Sequence, residues 1–394
     1  MKVLFEKCRL DHRADDARQA GLYPYFHCLE SRPDVEVVMD GRRRIMLGSN
    51  NYLGLTTCPE VVEAGIKALE KYGTGCSGSR FLNGTLDLHL ELEAELADFL
   101  GKEEALTFGT GFQTNLGIIS ALVGRHDYLI CDKESHASVY CAAQMCLGRL
   151  LRFHHNDMAH LESHLKSVPA GQGALVVVDG VFSLGGDLAN LPEICRLAHA
   201  YGAAVMVDDA HGLGVIGPGG RGTAHHFGLA SEVDILMGTF SKSLASLGGY
   251  VAASRTIIDF LRHASSPFIF SAAIPPASAA VALAALRHLR RHPELPTHLR
   301  EVSDYARKVF VQHGIPLKPG AETNLAPILP VAIGGTQETL VVAKRAYEGG
   351  VFTNPFIPPG VPEGGGLLRT SVTAAHTPAL IDEAAGILAE ALKC

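Results

Sequence analysis

The chain predicts an α/β fold built on a mostly parallel sheet. Short, continuous apolar runs recur from about residue 105 to 254. Helical patterns with their own start and stop residues alternate with them. Polar residues able to do chemistry stand just after the runs, where ligands sit in open parallel sheets.

In chain order, residues 1–45 read as an N-terminal arm: a polar helix, then Tyr23-Pro24-Tyr25, then a short hairpin around Asp40-Gly41. Ser49 to Gly54 reads as a polar turn at a strand end. A helix follows, with Pro59 near its start, Val62, Ile66 and Leu69 on one face, and Gly73 at its end. Residues 73–78 spell GxGxxG. The dinucleotide fingerprint needs a strand before it and a helix directly after. Here a helix precedes it and a second loop, residues 79–85, follows. The next helix turns Leu92, Leu96 and Phe99 inward and stops at Gly101.

Strands are expected at 105–108, 128–131, 150–153, 174–178, 203–207, 235–239 and 249–253. Unbroken apolar runs suit a sheet covered on both faces. Between strands, Asn190 reads as a helix N-cap with Pro192 just inside and Gly202 as the stop. After Pro275-Pro276 a long Ala/Leu helix ends in the basic run 287–292, and the chain closes on a helix capped at Thr377-Pro378. The expected division is the arm 1–45, a large domain 46–276 and a smaller C-terminal α+β domain 277–394. Residues 354–366, rich in Pro and Gly, are expected to be irregular, either an active-site lid or a plain surface connection.

Of 394 residues, 47% are hydrophobic, enough for a large core or two domains. The net charge of −7 comes with no basic block, which argues against nucleic acid or an acidic membrane surface as partner. Nine cysteines, an odd number with no CxxC pair, fit a reduced cytoplasmic protein better than a disulfide framework. The first residues are too charged for a signal peptide, and no apolar run reaches the roughly 18 residues of a spanning helix.

Four strand-end features could converge. Asp208-Asp209-Ala210-His211 offers a carboxylate that could hold a ring nitrogen protonated, or a pair of acids that merely cap a turn. Ser135-His136-Ala137-Ser138 offers an imidazole that could stack on a flat cofactor, or a hydrogen-bonded loop histidine. Gly109-Thr110-Gly111-Phe112 opens a helix whose free amides could hold a phosphate, or is a tight turn. Lys242, beside Thr239 and Ser241, is a surface charge or an amine ready to form a Schiff base. No phosphate loop accompanies the acidic stretch. His160 and His164 have metal-ligand spacing without an evident third ligand, so no metal is expected.

These residues, in one order along one α/β chain, resemble the α-oxoamine synthases. These are pyridoxal-phosphate (PLP) enzymes of the aspartate-aminotransferase fold, fold type I. The resemblance runs from about residue 20 to the end. It includes Asn51-Tyr52-Leu53-Gly54, Gly78-Ser79-Arg80, Asp132 to Ser138, Asp179 to Asp187, Asp208 to Gly212 and Gly238 to Ser243. Asp209 stands where the family usually has glutamate. Within the family the chain looks most like the soluble bacterial branch that condenses L-serine with a long-chain acyl-CoA. Its pointers are Gly238-Thr239-Phe240-Ser241-Lys242-Ser243, Phe268 to Ala272, and Leu368-Arg369 with Ala375-His376-Thr377.

The resemblance implies the following roles. Lys242 anchors the cofactor and takes the Cα proton, and Asp208 pairs with the pyridine nitrogen. His136 stacks on the ring and touches the substrate carboxylate. His211 and Ser183 lie near the phenolic oxygen. Gly111, Phe112, Thr239 and Ser241 hold the phosphate, with Ser271 and Ala272 arriving from the neighbouring subunit of a homodimer. Asn51 and Arg369 serve the amino-acid carboxylate. Sister activities on glycine or alanine with a shorter acyl donor, and aminotransfer, share this fold.

Overall fold

The computed structural model describes residues 2–393. Met1 and Cys394, the ends of the expected arm and C-terminal domain, lie outside them. The arm begins with two short helices, Glu6–Leu10 and Arg13–Gln19. Strands β1 (Glu36–Met39) and β2 (Arg42–Met46) then pair antiparallel. Their turn is Asp40-Gly41, both at positive φ, the two-residue geometry that matches the twist of a hairpin.

Seven strands form the large sheet: β3 (Glu104–Phe108), β4 (Tyr128–Asp132), β5 (Arg149–Phe153), β6 (Ala174–Asp179), β7 (Ala204–Asp208), β8 (Ile235–Thr239) and β9 (Gly249–Ala253). Each expected run is present, within one residue at either end. The order is β3-β9-β8-β7-β6-β4-β5, and β9 alone runs antiparallel to its neighbours. Alternate residues of one strand serve opposite cores. Ile130, Val176, Val178, Val205 and Val207 pack with helices Pro59–Tyr72, Asp87–Leu100 and Pro276–Arg291. Leu129, Cys131, Val177, Met206 and Ile235 pack with helices Gly111–Leu122, Ala137–Met145 and Arg255–Ala264. A strand covered on both sides has no polar face, hence the unbroken apolar runs.

Helix Pro59–Tyr72 buries Val61, Gly65 and Ala68, while the face carrying Val62, Ile66 and Leu69 is half exposed. The reason is close approach to helix Pro276–Arg291. A Cβ on Gly65 would lie 3.0 Å from Val281. Small residues let the two helices close, so they, and not the large apolar ones, meet the core.

The C-terminal strands are β10 (Ile328–Gly334), β11 (Val351–Phe352), β12 (Asn354–Phe356) and β13 (Gly366–Ser371). One antiparallel sheet runs β10-β13-β12, and β11 extends the arm's hairpin into a sheet β1-β2-β11. Ile45 and Leu47 share a core with Val302, Phe310, Leu329 and Leu388. Helix Pro276–Arg291 opens the expected C-terminal domain, yet its Ala279, Ala282, Leu286 and Leu289 pack in the core of the large sheet. The stretch 354–366, expected to be irregular throughout, begins as the edge strand β12. Its Pro355, lacking an amide, is tolerated at an edge.

The glycines of residues 73–78 serve a loop. A Cβ on Gly78 would strike the Asn83 side chain, and Ser79 bridges to Ala272. Arg80 is buried on Glu93 (2.7 Å) and Thr107 (2.8 Å). Removing one partner of such a pair costs about 3–5 kcal/mol, so the loop is fixed to the sheet. All eight described cysteines are free. No helix among the described residues is long and apolar enough to cross a membrane.

Candidate active site

Four adjacent strands end in polar residues. Across β8, β7, β6 and β4 the last residues are Thr239, Asp208, Asp179 and Asp132. The register sets Asp179 directly beside Asp208. A parallel sheet thus delivers hydroxyl and carboxylates to one edge, where the following loops add the remaining groups.

The two consecutive acids are sorted by the strand's alternation. The Asp208 carboxylate accepts from Asn115 Nδ2 (2.7 Å) and from the Ala210 amide (3.1 Å). Asp209 turns away and accepts from the Thr223 amide (2.7 Å) and hydroxyl (2.6 Å). Burial pushes the Asp209 carboxyl up to about 6, against those two bonds. Only Asp208 faces the other candidate groups.

His136 caps helix Ala137–Met145. Its Nδ1 lies 2.7 Å from Ser138 Oγ and accepts from the Ser138 amide (3.3 Å), while its own amide donates to Asp179 (3.1 Å). Burial lowers its pKa; Asp208 pulls the other way and Lys242 lowers it further. Asp179 is raised well above the usual carboxylate range by burial and by Asp208.

His211 Nδ1 lies 2.7 Å from the Tyr52 hydroxyl. That hydroxyl also meets Asn50 Oδ1 (3.1 Å) and accepts from Arg369 Nη2 (3.1 Å). Arg369, on β13, donates through Nε to the Ser183 carbonyl (2.6 Å). A continuous chain therefore runs His211–Tyr52–Arg369–Ser183. Burial, then Lys242 and Arg369, hold His211 well below its ordinary pKa and so neutral. Asn51 donates to Thr56 (2.7 Å), and its buried Oδ1 has no protein partner.

Gly111 and Phe112 open helix Gly111–Leu122, and Thr110 caps it through the Gln113 amide. The first two amides have no acceptor within the helix. A Cβ on Gly111 would lie 2.8 Å from Thr239 Cβ, and one on Gly249 would lie 2.8 Å from Gly111 Cα. Two glycines thus let the helix start settle against the end of β8. Thr239 Oγ1 lies 2.8 Å from Ser241 Oγ. Free amides and paired hydroxyls form one cradle at the positive end of a helix dipole. Ser271 Oγ accepts from Gln113 of the same chain (2.5 Å), and Ala272 is exposed.

Lys242 follows this cradle. Burial lowers its amine to about 8; Asp208 opposes the shift and Arg369 adds to it. Its neighbours in this field, Asp208, Arg369 and Asp179, come from three different strands. The arrangement can hold a flat, protonated aromatic ring with an anionic tail. It offers a carboxylate for a ring nitrogen, an imidazole, a readily deprotonated amine, a guanidinium and an anion cradle. The buried, unpartnered Asn51 Oδ1 leaves polar capacity there. This donor set fits PLP.

Tyr52 and Asn115 are the functional positions that sequence reasoning missed. Asn115 stands at the start of the run Leu116 to Leu122, where the helix turns apolar, and a buried amide there needs a partner, since burial without one is costly. Tyr52 lies within Asn51-Tyr52-Leu53-Gly54, in a stretch that reads as a polar turn, with no local signal for a role of its own. The His160 and His164 rings lie tilted against each other on helix Met158–Ser167, centroids 4.5 Å apart, and belong to none of these groups.

The family model described as aminotransferase class I and II matches residues 42–388, and the chain belongs to that family. Within it the chain is an α-oxoamine-synthase-like member. A serine palmitoyltransferase of Bacteroides thetaiotaomicron is 50% identical over 373 residues, 95% of this chain and 94% of the relative. An 8-amino-7-oxononanoate synthase of Thermoanaerobacter pseudethanolicus is 39% identical over 376 residues, 95% of this chain and 94% of the relative. A solved structure of SPT with PLP superposes with a TM-score of 0.95 at 37% identity, covering 99% of this chain and 98% of that one.

Proposed function

We propose that this chain is a PLP-dependent serine palmitoyltransferase. It condenses L-serine with a long-chain acyl-CoA, palmitoyl-CoA above all. The products are CoA, CO2 and 3-ketodihydrosphingosine, the first committed compound of sphingolipid synthesis. The observation that carries this is the full-length 50% identity to a serine palmitoyltransferase, well above the 39% to the 8-amino-7-oxononanoate synthase.

Bound in this site, PLP supplies the electron sink for the charge left on the substrate α-carbon. The chain's own residues do the rest. Lys242 anchors the cofactor and, once displaced by serine, removes the Cα proton. Its lowered pKa suits a base working near neutral pH. Asp208, fixed by Asn115, keeps a proton on the ring nitrogen. His136 packs against the ring and reaches the serine carboxylate. Arg369 and Asn51 bind that carboxylate, the guanidinium by its planar fork. Neutral His211, with Ser183, serves the phenolic oxygen. Gly111, Phe112, Thr239 and Ser241 hold the phosphate.

The same reading includes a cytoplasmic homodimer whose second copy brings its Ser271 and Ala272 to the cradle. Exposed Phe112 and Phe270, the latter at 83%, support such a cover. The test is the absorbance of the purified holoprotein on adding L-serine, glycine or L-alanine, followed by product mass with a series of acyl-CoAs. A serine response and a palmitoyl-derived keto amino alcohol are expected. A response confined to glycine or alanine would move the protein to a sister activity, and keto-acid-dependent amino exchange would make it an aminotransferase.

A further inference from the structure

His155 lies outside every group assigned above, in the loop that follows the sheet's edge strand β5. Both of its ring nitrogens face carboxylates on different elements. Nδ1 lies 3.1 and 3.2 Å from the two oxygens of Asp132, at the end of β4. Nε2 lies 2.7 Å from Asp187, in the loop after β6. A neutral imidazole carries one N–H and would turn a lone pair toward one of the two anions. Only the doubly protonated ring donates to both.

The next residue builds the same joint from the backbone. Asn156 sits at a φ of 50°, a left-handed conformation that asparagine accepts more readily than most side chains. Its amide donates to Asp132 (2.9 Å), and its side chain donates to the Leu188 carbonyl (3.0 Å). It also accepts from the Asn190 amide (3.0 Å). Two residues thus tie β4's end to the whole segment 187–190.

The two loops joined here are the ones that carry the site. Asp132 begins the turn to His136, and its backbone and carboxylate bind the Ser135 and Glu134 amides. The amide of Phe182 donates to the Asp187 carbonyl (2.9 Å), so Asp187 closes the loop carrying Ser183, whose carbonyl holds Arg369. We propose that His155 is a positioning residue: its imidazolium clamps the His136 loop to the Ser183–Arg369 loop and so sets the amino-acid site. This rests on the reading of Arg369 and His136 as carboxylate-binding groups.

The charged groups facing the ring are Asp132 and Asp187. Beyond Asp187, the Lys318 ammonium lies 3.6 Å from where a Cβ on Gly185 would stand. Burial works against the charged ring, and the bonds to Asp132 and Asp187 outweigh it, holding the imidazole up at about 10. The sign follows. A folded-state value above the ordinary ~6.5 means that the clamp is fully formed below that value and is lost as pH rises through about 10.

Two measurements test this on the holoprotein. In an NMR titration with histidine labelled at Cε1, the His155 signal is the one missing from His155→Gln. It keeps its charged position through neutral pH; a signal that titrates near ~6.5 overturns the clamp. In His155→Gln the Kd for L-serine, read from the cofactor spectrum, rises about tenfold or more while PLP stays bound. A folded variant with wild-type Kd and turnover overturns the positioning role. If that variant does not fold, Asp187→Asn replaces it, and the His155 signal is then the one whose titration this substitution moves: the imidazole pKa falls and the serine Kd rises together, and either one without the other overturns the proposal. A wild-type holoprotein silent to L-serine counts against the substrate reading instead, and the titration still decides the clamp.

Discussion

Lys242 shows how a single side chain acquires its chemistry from its surroundings. An exposed lysine keeps its proton to about 10.4. Here burial and the Arg369 cation bring the amine to about 8, against the pull of Asp208. The uncharged amine, the form that attacks an aldehyde, is then populated above about 8. The rate of PLP uptake by cofactor-free protein therefore rises with pH through about 8 and levels off, as followed by stopped-flow absorbance. A rate that keeps climbing toward the ordinary lysine value would refute the shift. Lys242→Ala lowers turnover by more than about 10³-fold and removes the yellow cofactor band, and retention of both would sink the assignment. At this scale the sequence showed the groups that end strands, because strand ends can be read from where apolar runs stop. It hid Tyr52 and Asn115, which act through buried hydrogen bonds to residues distant in the chain. No local pattern brings Asn115 to Asp208; the packing of helix Gly111–Leu122 on β8 and β9, beside β7, does.

At the level of elements, the start of helix Gly111–Leu122 shows why glycine is needed at one position. The helix must approach β8 and β9 closely enough for its free amides to stand beside Thr239. Gly111→Val would drive side-chain carbons into Thr239, whose Cβ already lies 2.8 Å from a Cβ at that position. Equilibrium dialysis of the variant is expected to show PLP binding weakened at least about tenfold, with the fold retained in circular dichroism. Unchanged PLP affinity would remove these amides from the cradle. The seven strands of the large sheet were legible almost to the residue, since burial on both faces leaves a continuous apolar signature. The buried face of helix Pro59–Tyr72 was not. Hydrophobicity marks Val62, Ile66 and Leu69, whereas helix–helix closeness selects Val61, Gly65 and Ala68. Likewise β12 was masked by Pro355 and the prolines that follow it, because an edge strand needs only half its backbone groups paired.

For the whole molecule, the face of helix Pro59–Tyr72 carrying Val62, Ile66 and Leu69 and the bare Phe270 stand exposed, and the proposed homodimer would cover that phenylalanine. The order of residues places Ser271 and Ala272 next to that exposed phenylalanine. Within one chain, Ser271 is bonded to Gln113 and Ala272 stands open to solvent. If the second copy supplies these residues, each site combines Lys242 of one chain with Ala272 of the other. Two defective variants should then repair each other. Ala272→Trp, at an exposed position, blocks the neighbour's cradle without disturbing its own core, and Lys242→Ala disables its own site. In a mixed dimer one site carries both defects. The other keeps an intact lysine and receives an intact Ala272. Equal, random reassociation of the two inactive proteins should restore roughly a quarter of wild-type turnover, since half the dimers are mixed and each has one working site. Steady-state CoA release after mixing measures this. If Ala272 serves only its own chain, the mixed dimers stay inactive, and the shared-site architecture fails with them.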